Sequence, residues 1–175
     1  MHELGPADRD AVAALYSGLS PRDNYLRFFG PRPAHLDRYL DRLCHPTADR
    51  FALGAFRGRT LVGVIGCTST DSDGAHSSAE VALVVDEHER RHGVATELLC
   101  RALDVAAERG ITRIDAEVLA ENTMMLRVLR EDGRAHLVFD GPIVDVDIAA
   151  ATPVTDDDGD STGTSPGSSP STALS

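Results

Sequence analysis

The sequence predicts an α/β (α+β) fold: a mixed, mostly antiparallel sheet with one central parallel strand pair, flanked by helices. Three observations carry this. Segments of helical and of strand period alternate along roughly the first 150 residues. In the middle, the apolar run AEVALVVD, an amphipathic stretch from Val94 and the run ITRIDAEVL give strand, helix, strand, the connection that parallel neighbours need. On either side, pairs of apolar runs are joined by tight turns, Arg57-Gly58-Arg59 and Asp140-Gly141-Pro142, as antiparallel hairpins require.

Taken in order, Asp8 to about Leu19 reads as a helix, with Ala11, Val12, Leu15 and Leu19 in one stripe. Pro33 opens a second helix, PAHLDRYLDRL, whose Leu36, Leu40 and Leu43 recur at near-helical spacing and which stops before Pro46. The linking PRDNYLRFFGPRP holds Tyr25, Phe28 and Phe29, whose spacing suits a core. Phe51–Phe56 and Thr60 to about Thr68 form the first hairpin, and an Asp-Ser-Asp-Gly loop leads into AEVALVVD. The helix beginning at Val94 aligns Leu98, Leu99, Ala102, Leu103 and Ala106, and Gly110 is placed to cap its end. After ITRIDAEVL, Asn122 is an N-cap for a short helix ending at Gly133, and AHLVFDGPIVDVDIA is the closing hairpin.

A chain of 175 residues has room for one well-cored domain, assigned to residues 1–151. From Thr152 to Ser175 the composition collapses to Asp, Ser, Thr, Gly and Pro, and such a segment buries too little apolar area to offset its ordering entropy. It is expected to be a disordered tail without a catalytic role. No apolar run approaches a membrane span and no charged-then-apolar leader opens the chain, so a soluble, cytoplasmic protein is expected, with no membrane partner. A formal charge of −11 disfavours nucleic acid. All 17 basic residues are arginine. Cys44, Cys67 and Cys100 are widely spaced, which argues against a disulfide framework or a cysteine-rich metal site and leaves them as small buried apolar residues.

The stretch His88-Glu89-Arg90-Arg91-His92 fits the zinc pattern H-E-x-x-H, and in a shifted frame, Arg90 to Ala95, it is R-x-x-G-x-A. The zinc pattern works only when both histidines lie one turn apart on a helix. Here the chain is leaving a strand, Gly93 follows the second histidine, helical period starts at Val94, and two arginines add positive charge where a dication would sit. The loop frame has the better mechanism. Gly93 allows close approach or a positive φ, the new helix offers unpaired N–H groups and its positive end to an anion, Ala95 is small, and Arg90, Arg91 and His92 raise the potential. A diphosphate with an apolar arm along the strand fits such a place, and no metal is expected.

On AEVALVVDEHERRHGVATELL and EVLAENTMMLRVLREDG, together with LSPRDNYLRFFGPRP, the chain resembles the GNAT superfamily of N-acetyltransferases from Asp8 to Ile148, most closely the acetyltransferase domain of bacterial protein lysine acetyltransferases. The resemblance implies a GNAT fold and acetyl-CoA as cosubstrate. The main chain of Leu83, Val84 and Val85 would hold its pantetheine arm, and Arg90, Arg91, His92, Gly93, Val94, Ala95 and Thr96 its pyrophosphate. Asn122 matches an asparagine that touches the cofactor in relatives, and is equally placed to be only a helix cap. The acceptor amine has a pKa of about 10, so a base must take its proton before it attacks the thioester. Glu80 matches the catalytic glutamate of the lysine acetyltransferases, and Ala79, Val81, Ala82 and Leu83 would shield its carboxyl from water. Glu117 matches a glutamate used in other branches, but alternates with Arg113 and Asp115 away from Ile114, Ala116 and Val118, as a solvated residue would.

The match has gaps. Leu129 stands where many relatives have a tyrosine that protonates the leaving thiolate, Gly133-Arg134 replaces a Gly-Phe pair, and only His2-Glu3-Leu4 remain of the first strand. The function implied is transfer of acetyl to an amine, foremost a lysine on a partner protein. The alternatives are a small-molecule amine acetyltransferase and a catalytically weak domain that senses acyl-CoA.

Overall fold

The structure, a computed structural model, describes residues 1–71 and 77–150. The tail expected from Thr152 and most of the Asp-Ser-Asp-Gly loop lie outside them. Among the described residues, strands β1 (His2–Glu3), β2 (Arg50–Arg57), β3 (Thr60–Ser69), β4 (Ser78–Val85), β5 (Arg113–Leu119), β6 (Ala135–Asp140) and β7 (Ile143–Ala149) form one sheet in the order β1-β2-β3-β4-β5-β7-β6. Every neighbouring pair is antiparallel except β4 and β5. This is the mixed sheet that the sequence predicts, with its parallel pair at the strand–helix–strand crossover.

The two-residue first strand pairs His2 with Gly54 and Glu3 with Leu53, and is fastened by an ion pair from Arg109 to Glu3 at 2.8 Å. Helices α1 (Arg9–Gly18) and α3 (Leu36–Leu43) cover one face of the sheet, burying Val12, Tyr16, Leu36 and Leu40 against Leu4, Val64 and Val84. Helices α4 (Val94–Glu108) and α5 (Thr123–Asp132) cover the other, with Leu98, Leu103, Ile114 and Ile148 fully buried.

Three expectations are corrected. The stretch after Leu19 folds as a further helix, α2 (Pro21–Phe28), because Ser20 caps it by accepting from the Asp23 amide and Pro21 stands at its first position. The next helix starts at Leu36 rather than Pro33, with the chain between them in a turn. Tyr25 and Phe29, read as core, are 43% and 40% exposed, since α2 turns them outward. Phe28 alone of the three packs inward, against Tyr16 and Tyr39.

Candidate active site

The parallel pair is short. Ser78, Ala79 and Glu80 of β4 sit opposite Arg113, Ile114 and Asp115 of β5, and beyond that rung the strands part. Strand β4 continues to Val85 alongside β3, and β5 continues to Leu119 alongside β7, so a wedge opens within the sheet. A cavity of about 500 Å³ fills it, walled by Val81–Val85 on one side and Ala116–Val118 on the other.

The hydrogen bonds at either end of β4 fix which of its backbone groups face the wedge. Thr70 N–H donates to Ser78 O and Asp86 N–H to Val62 O, so the even-numbered residues of β4 bond to β3. Alternation then turns the N–H and C=O groups of Val81, Leu83 and Val85 toward the wedge, where β5 has moved away. Of the strand residues expected to hold an extended amide-bearing arm, Leu83 and Val85 offer free backbone groups, and Val84 is committed to β3.

At the end of the wedge the chain makes a single 3₁₀ turn, Glu87–Glu89, capped by Asp86, is extended at Arg90, and then takes positive φ at Arg91 (72°) and Gly93 (79°) before α4 begins at Val94. His88 and His92 therefore do not share a helix face, and the geometry of a helical H-E-x-x-H is absent. The first amide of α4 with an intrahelical acceptor is that of Glu97, bonded to Gly93 O at 2.9 Å. The amides of Val94, Ala95 and Thr96 have no such acceptor and are available to an anion.

Arg90, Arg91, Gly93, Ala95, Thr96 and Asn122 line the cavity. His92 and Val94 do not. The His92 ring turns back to Glu89, with Nδ1 3.5 Å from Oε2, and the Val94 side chain is buried in the core, so only its amide can serve. Asn122 is the cap of α5, accepting from the Met125 amide at 3.3 Å, and also borders the cavity.

Arg90 is held by the Asp23 carboxylate at 2.5 Å, whereas Arg91 has no ionic partner among the described residues. Its left-handed backbone, which costs a non-glycine residue about 1–2 kcal/mol, leaves it exposed at the rim with its charge uncommitted. A Cβ on Gly93 would meet nothing within 4 Å, so Gly93→Ala isolates the backbone cost. That variant is expected to lose about 1–2 kcal/mol of stability in denaturant unfolding, and to bind a diphosphate ligand more weakly in calorimetry.

The roof of the cavity is α2, which sequence reasoning missed. Leu19, Arg22, Asp23 and Leu26 line it, and ion pairs Asp23–Arg90 and Arg22–Glu121 (3.5 Å) clamp the helix to both banks of the wedge. The run Ser20-Pro21-Arg22-Asp23 was the available signal, a capped helix start without an apolar stripe behind it.

Glu80 occupies the last rung before the strands part. Its side chain is exposed, contrary to the shielding expected from its sequence neighbours: Ala79 and Val81 point to the opposite face of the strand. Pairing aligns Glu80 with Asp115 of β5, so Glu117 lies on the same face two residues further on, opposite Asp145 of β7. Both glutamates border the large cavity. Glu80 also borders a second cavity of about 200 Å³, so it stands between the two. Leu129 is buried on the wall of the large cavity, and no tyrosine lines it among the described residues.

Cys67 lies on the second cavity, and burial pushes its thiol up to about 12, while burial also raises Cys44. Cys100 is half-buried, with Arg134 Nη2 3.9 Å from its sulfur. Alkylation at pH 8 followed by peptide mapping should therefore mark Cys100 first and reach Cys44 and Cys67 only in denaturant. Among the described residues, no group of three or more potential ligands is arranged to hold a metal ion, and no helix is long and apolar enough to cross a membrane.

Comparison with known proteins follows this geometry. The model of the acetyltransferase (GNAT) family matches residues 19–133. The structure of the GNAT domain of S. lividans PAT is similar over 85% of this chain and 88% of that one, with 27% identity and a TM-score of 0.76. A GNAT-family acetyltransferase of Streptococcus pneumoniae is 14% identical at a TM-score of 0.67 over 86% of this chain and 98% of its own. The Salmonella typhimurium protein yncA, described with its cofactor acetyl-CoA, is 13% identical at 0.64 over 83% and 90%. The last two share the fold.

Proposed function

Because this chain belongs to the acetyltransferase (GNAT) family, and is thus an acyltransferase dependent on acetyl-CoA, we propose that it acetylates the ε-amine of a lysine on a partner protein, with Glu80 as base, in the cytoplasm. The parting of β4 from β5 after Glu80 is the observation that carries this reading. It exposes the backbone of Leu83 and Val85 to an extended amide-bearing arm, and leads that arm to the free amides of α4 and to Arg91. A wedge of about 500 Å³ is of the size that cofactor-like ligands occupy.

Acetyl-CoA supplies the acetyl group as an activated thioester. Glu80, at the mouth of the wedge, takes the proton from the incoming ammonium, so that the amine's lone pair is free for the carbonyl carbon; the C–N bond forms, the C–S bond breaks, and the nitrogen gives its second proton to solvent. With Leu129 in place of a phenol, the departing thiolate takes its proton from solvent at the open end. A macromolecular acceptor is favoured by the sheet face beside Glu80, where Glu117 of β5, Asp145 of β7 and Val138 of β6 form an exposed row, and by the exposed Tyr25 and Phe29. The resemblance to bacterial protein lysine acetyltransferases supports the same acceptor.

The test is incubation with radiolabelled acetyl-CoA and a cell extract. Because the chain has no lysine, label on lysine side chains cannot come from self-modification. Acid-stable label on lysines of extract proteins is expected. Label confined to the small-molecule fraction would move the acceptor to free amines, and bound acetyl-CoA with no transfer at all would favour a sensing domain.

A further inference from the structure

On the far side of Glu80 from the cofactor wedge, the cavity of about 200 Å³ runs between α3 and strands β2–β4, and Arg27, Glu80, Val81 and Ala82 belong to the walls of both. Three guanidinium groups border it: Arg27 of α2, Arg42 of α3 and Arg50 of β2. Glu80 is the only carboxylate among its lining residues. In a chain with 28 acidic residues against 17 arginines, that grouping is unusual. Several arginines elsewhere are claimed by acids, Arg9 by Asp37 and Asp41, Arg57 by Glu89 and Arg109 by Glu3.

None of the three has a carboxylate partner among the described residues. Arg27 donates from Nη2 to the Tyr39 hydroxyl at 2.7 Å, stacks over Phe28 and Tyr39, and keeps a buried Nε–H without an acceptor. Arg50 donates from Nε to the His45 carbonyl at 3.2 Å, which leaves its terminal nitrogens uncommitted. The Arg42 guanidinium makes no hydrogen bond or ion pair among the described residues. A buried guanidinium donor left unpaired costs free energy that a ligand acceptor would restore.

The register sets the spacing. Arg50, Thr68 and Glu80 lie in one row across β2, β3 and β4, on one face of the sheet. Strands about 4.8 Å apart put the Arg50 and Glu80 backbones about 10 Å from one another. On the opposite side of Glu80 the row continues through Asp115 and Asp147, whose charges are met by Arg113 at 2.9 and 3.1 Å, so the unpaired guanidinium groups lie on the α3 side.

We propose that this cavity is a carboxylate subsite of the acceptor site: the acetylated amine is accompanied by an acidic group one residue away, which Arg42 and Arg50 bind while Arg27 closes the back. Guanidinium groups suit this because their planar fork pairs with both carboxylate oxygens. The proposal rests on the reading of Glu80 as the base of an amine acetyltransferase. It narrows the acceptor to lysines next to aspartate or glutamate. The same chemistry would be supplied by the α-carboxylate of a free amino acid, and the experiment separates the two.

Fluorescent nonapeptides with a central lysine flanked by glutamate, glutamine or arginine are titrated by anisotropy into the full chain with coenzyme A present. The glutamate peptide should bind at least about tenfold more tightly than the glutamine peptide, a difference of roughly 1.4 kcal/mol. The double variant Arg42→Gln, Arg50→Gln should lose that difference while keeping the melting temperature and the affinity for acetyl-CoA, and Arg42→Glu should shift preference to the arginine peptide. Equal binding of the glutamate and glutamine peptides, together with no displacement by free amino acids, overturns the proposal, as does a preference that survives the double variant. Displacement by free amino acids, lost in the same variant, upholds the subsite and assigns the carboxylate to a small acceptor. A glutamate preference in binding without acetylation of any peptide or amino acid would sink the transferase reading and leave the subsite standing.

Discussion

Glu80→Gln is expected to lower kcat by about 10²–10³ with a lysine peptide at pH 7.5 while leaving the affinity for acetyl-CoA within about twofold, as measured by calorimetry. Two arguments set the size. A lysine amine with a pKa near 10.4 is neutral in only about one molecule in a thousand at that pH. Without a base, turnover must wait for that fraction. Residual activity of the variant should then climb about tenfold per pH unit up to pH 10, and the wild-type profile should be flatter. The selective effect follows from position. Glu80 sits at the last rung of the parallel pair, bordering both cavities, whereas the cofactor wall is made by backbone groups farther along β4 and by α4. Glu117→Gln is the comparison. That residue borders only the large cavity and faces Asp145 across the β5–β7 pair, so its loss should change kcat less than about threefold. The reverse ranking of the two variants would transfer the role of base to Glu117.

What was legible in the sequence was what local chemistry decides. The onset of helical period at Val94 and the glycine before it placed the loop, and Gly93 does take a positive φ there, with His88 and His92 off any common helix. Alternation and turn residues placed the hairpins to within a residue or two. Helix α2 was lost because PRDNYLRF has no apolar stripe; its helicity depends on the Ser20 cap and on clamps to Arg90 and Glu121, partners far away in sequence. Glu80 was found but its surroundings were misjudged: flanking residues in a strand point to the other face, so apolar neighbours in sequence do not shield it. The row Arg50–Thr68–Glu80 and the early divergence of β4 and β5 are matters of register. Pairing between strands distant in sequence is set by the packed core, which no single segment encodes.

Gly63→Val should show how closely the fold and the cofactor loop are joined. Gly63 lies on β3 under the start of α4, where a Cβ would come within 2.9 Å of Leu98 Cδ1, 3.0 Å of Val94 Cγ1 and 3.3 Å of the Val84 carbonyl. The absent side chain thus lets α4 sit directly on the sheet. A valine there forces the helix outward, and overpacking of this kind costs about 1–3 kcal/mol, or a fall in Tm of roughly 2–12 °C for a domain of this size. Val94 is both the residue struck and the first of α4, whose free amides begin at the same position. Displacing it moves the donors that would hold the pyrophosphate, so affinity for acetyl-CoA should fall at least about tenfold as well. Val94→Ala in the same chain makes room and should restore part of both losses, a coupling that a double-mutant cycle measures. Gly54→Val provides the contrast: its Cβ would strike Leu4 and Leu61 on the other face, away from the loop, so it should lower Tm while leaving the acetyl-CoA affinity of the folded protein unchanged. If Gly63→Val and Gly54→Val prove alike in acetyl-CoA affinity, the close seat of α4 on β3 stabilises the fold without positioning the amides at its start.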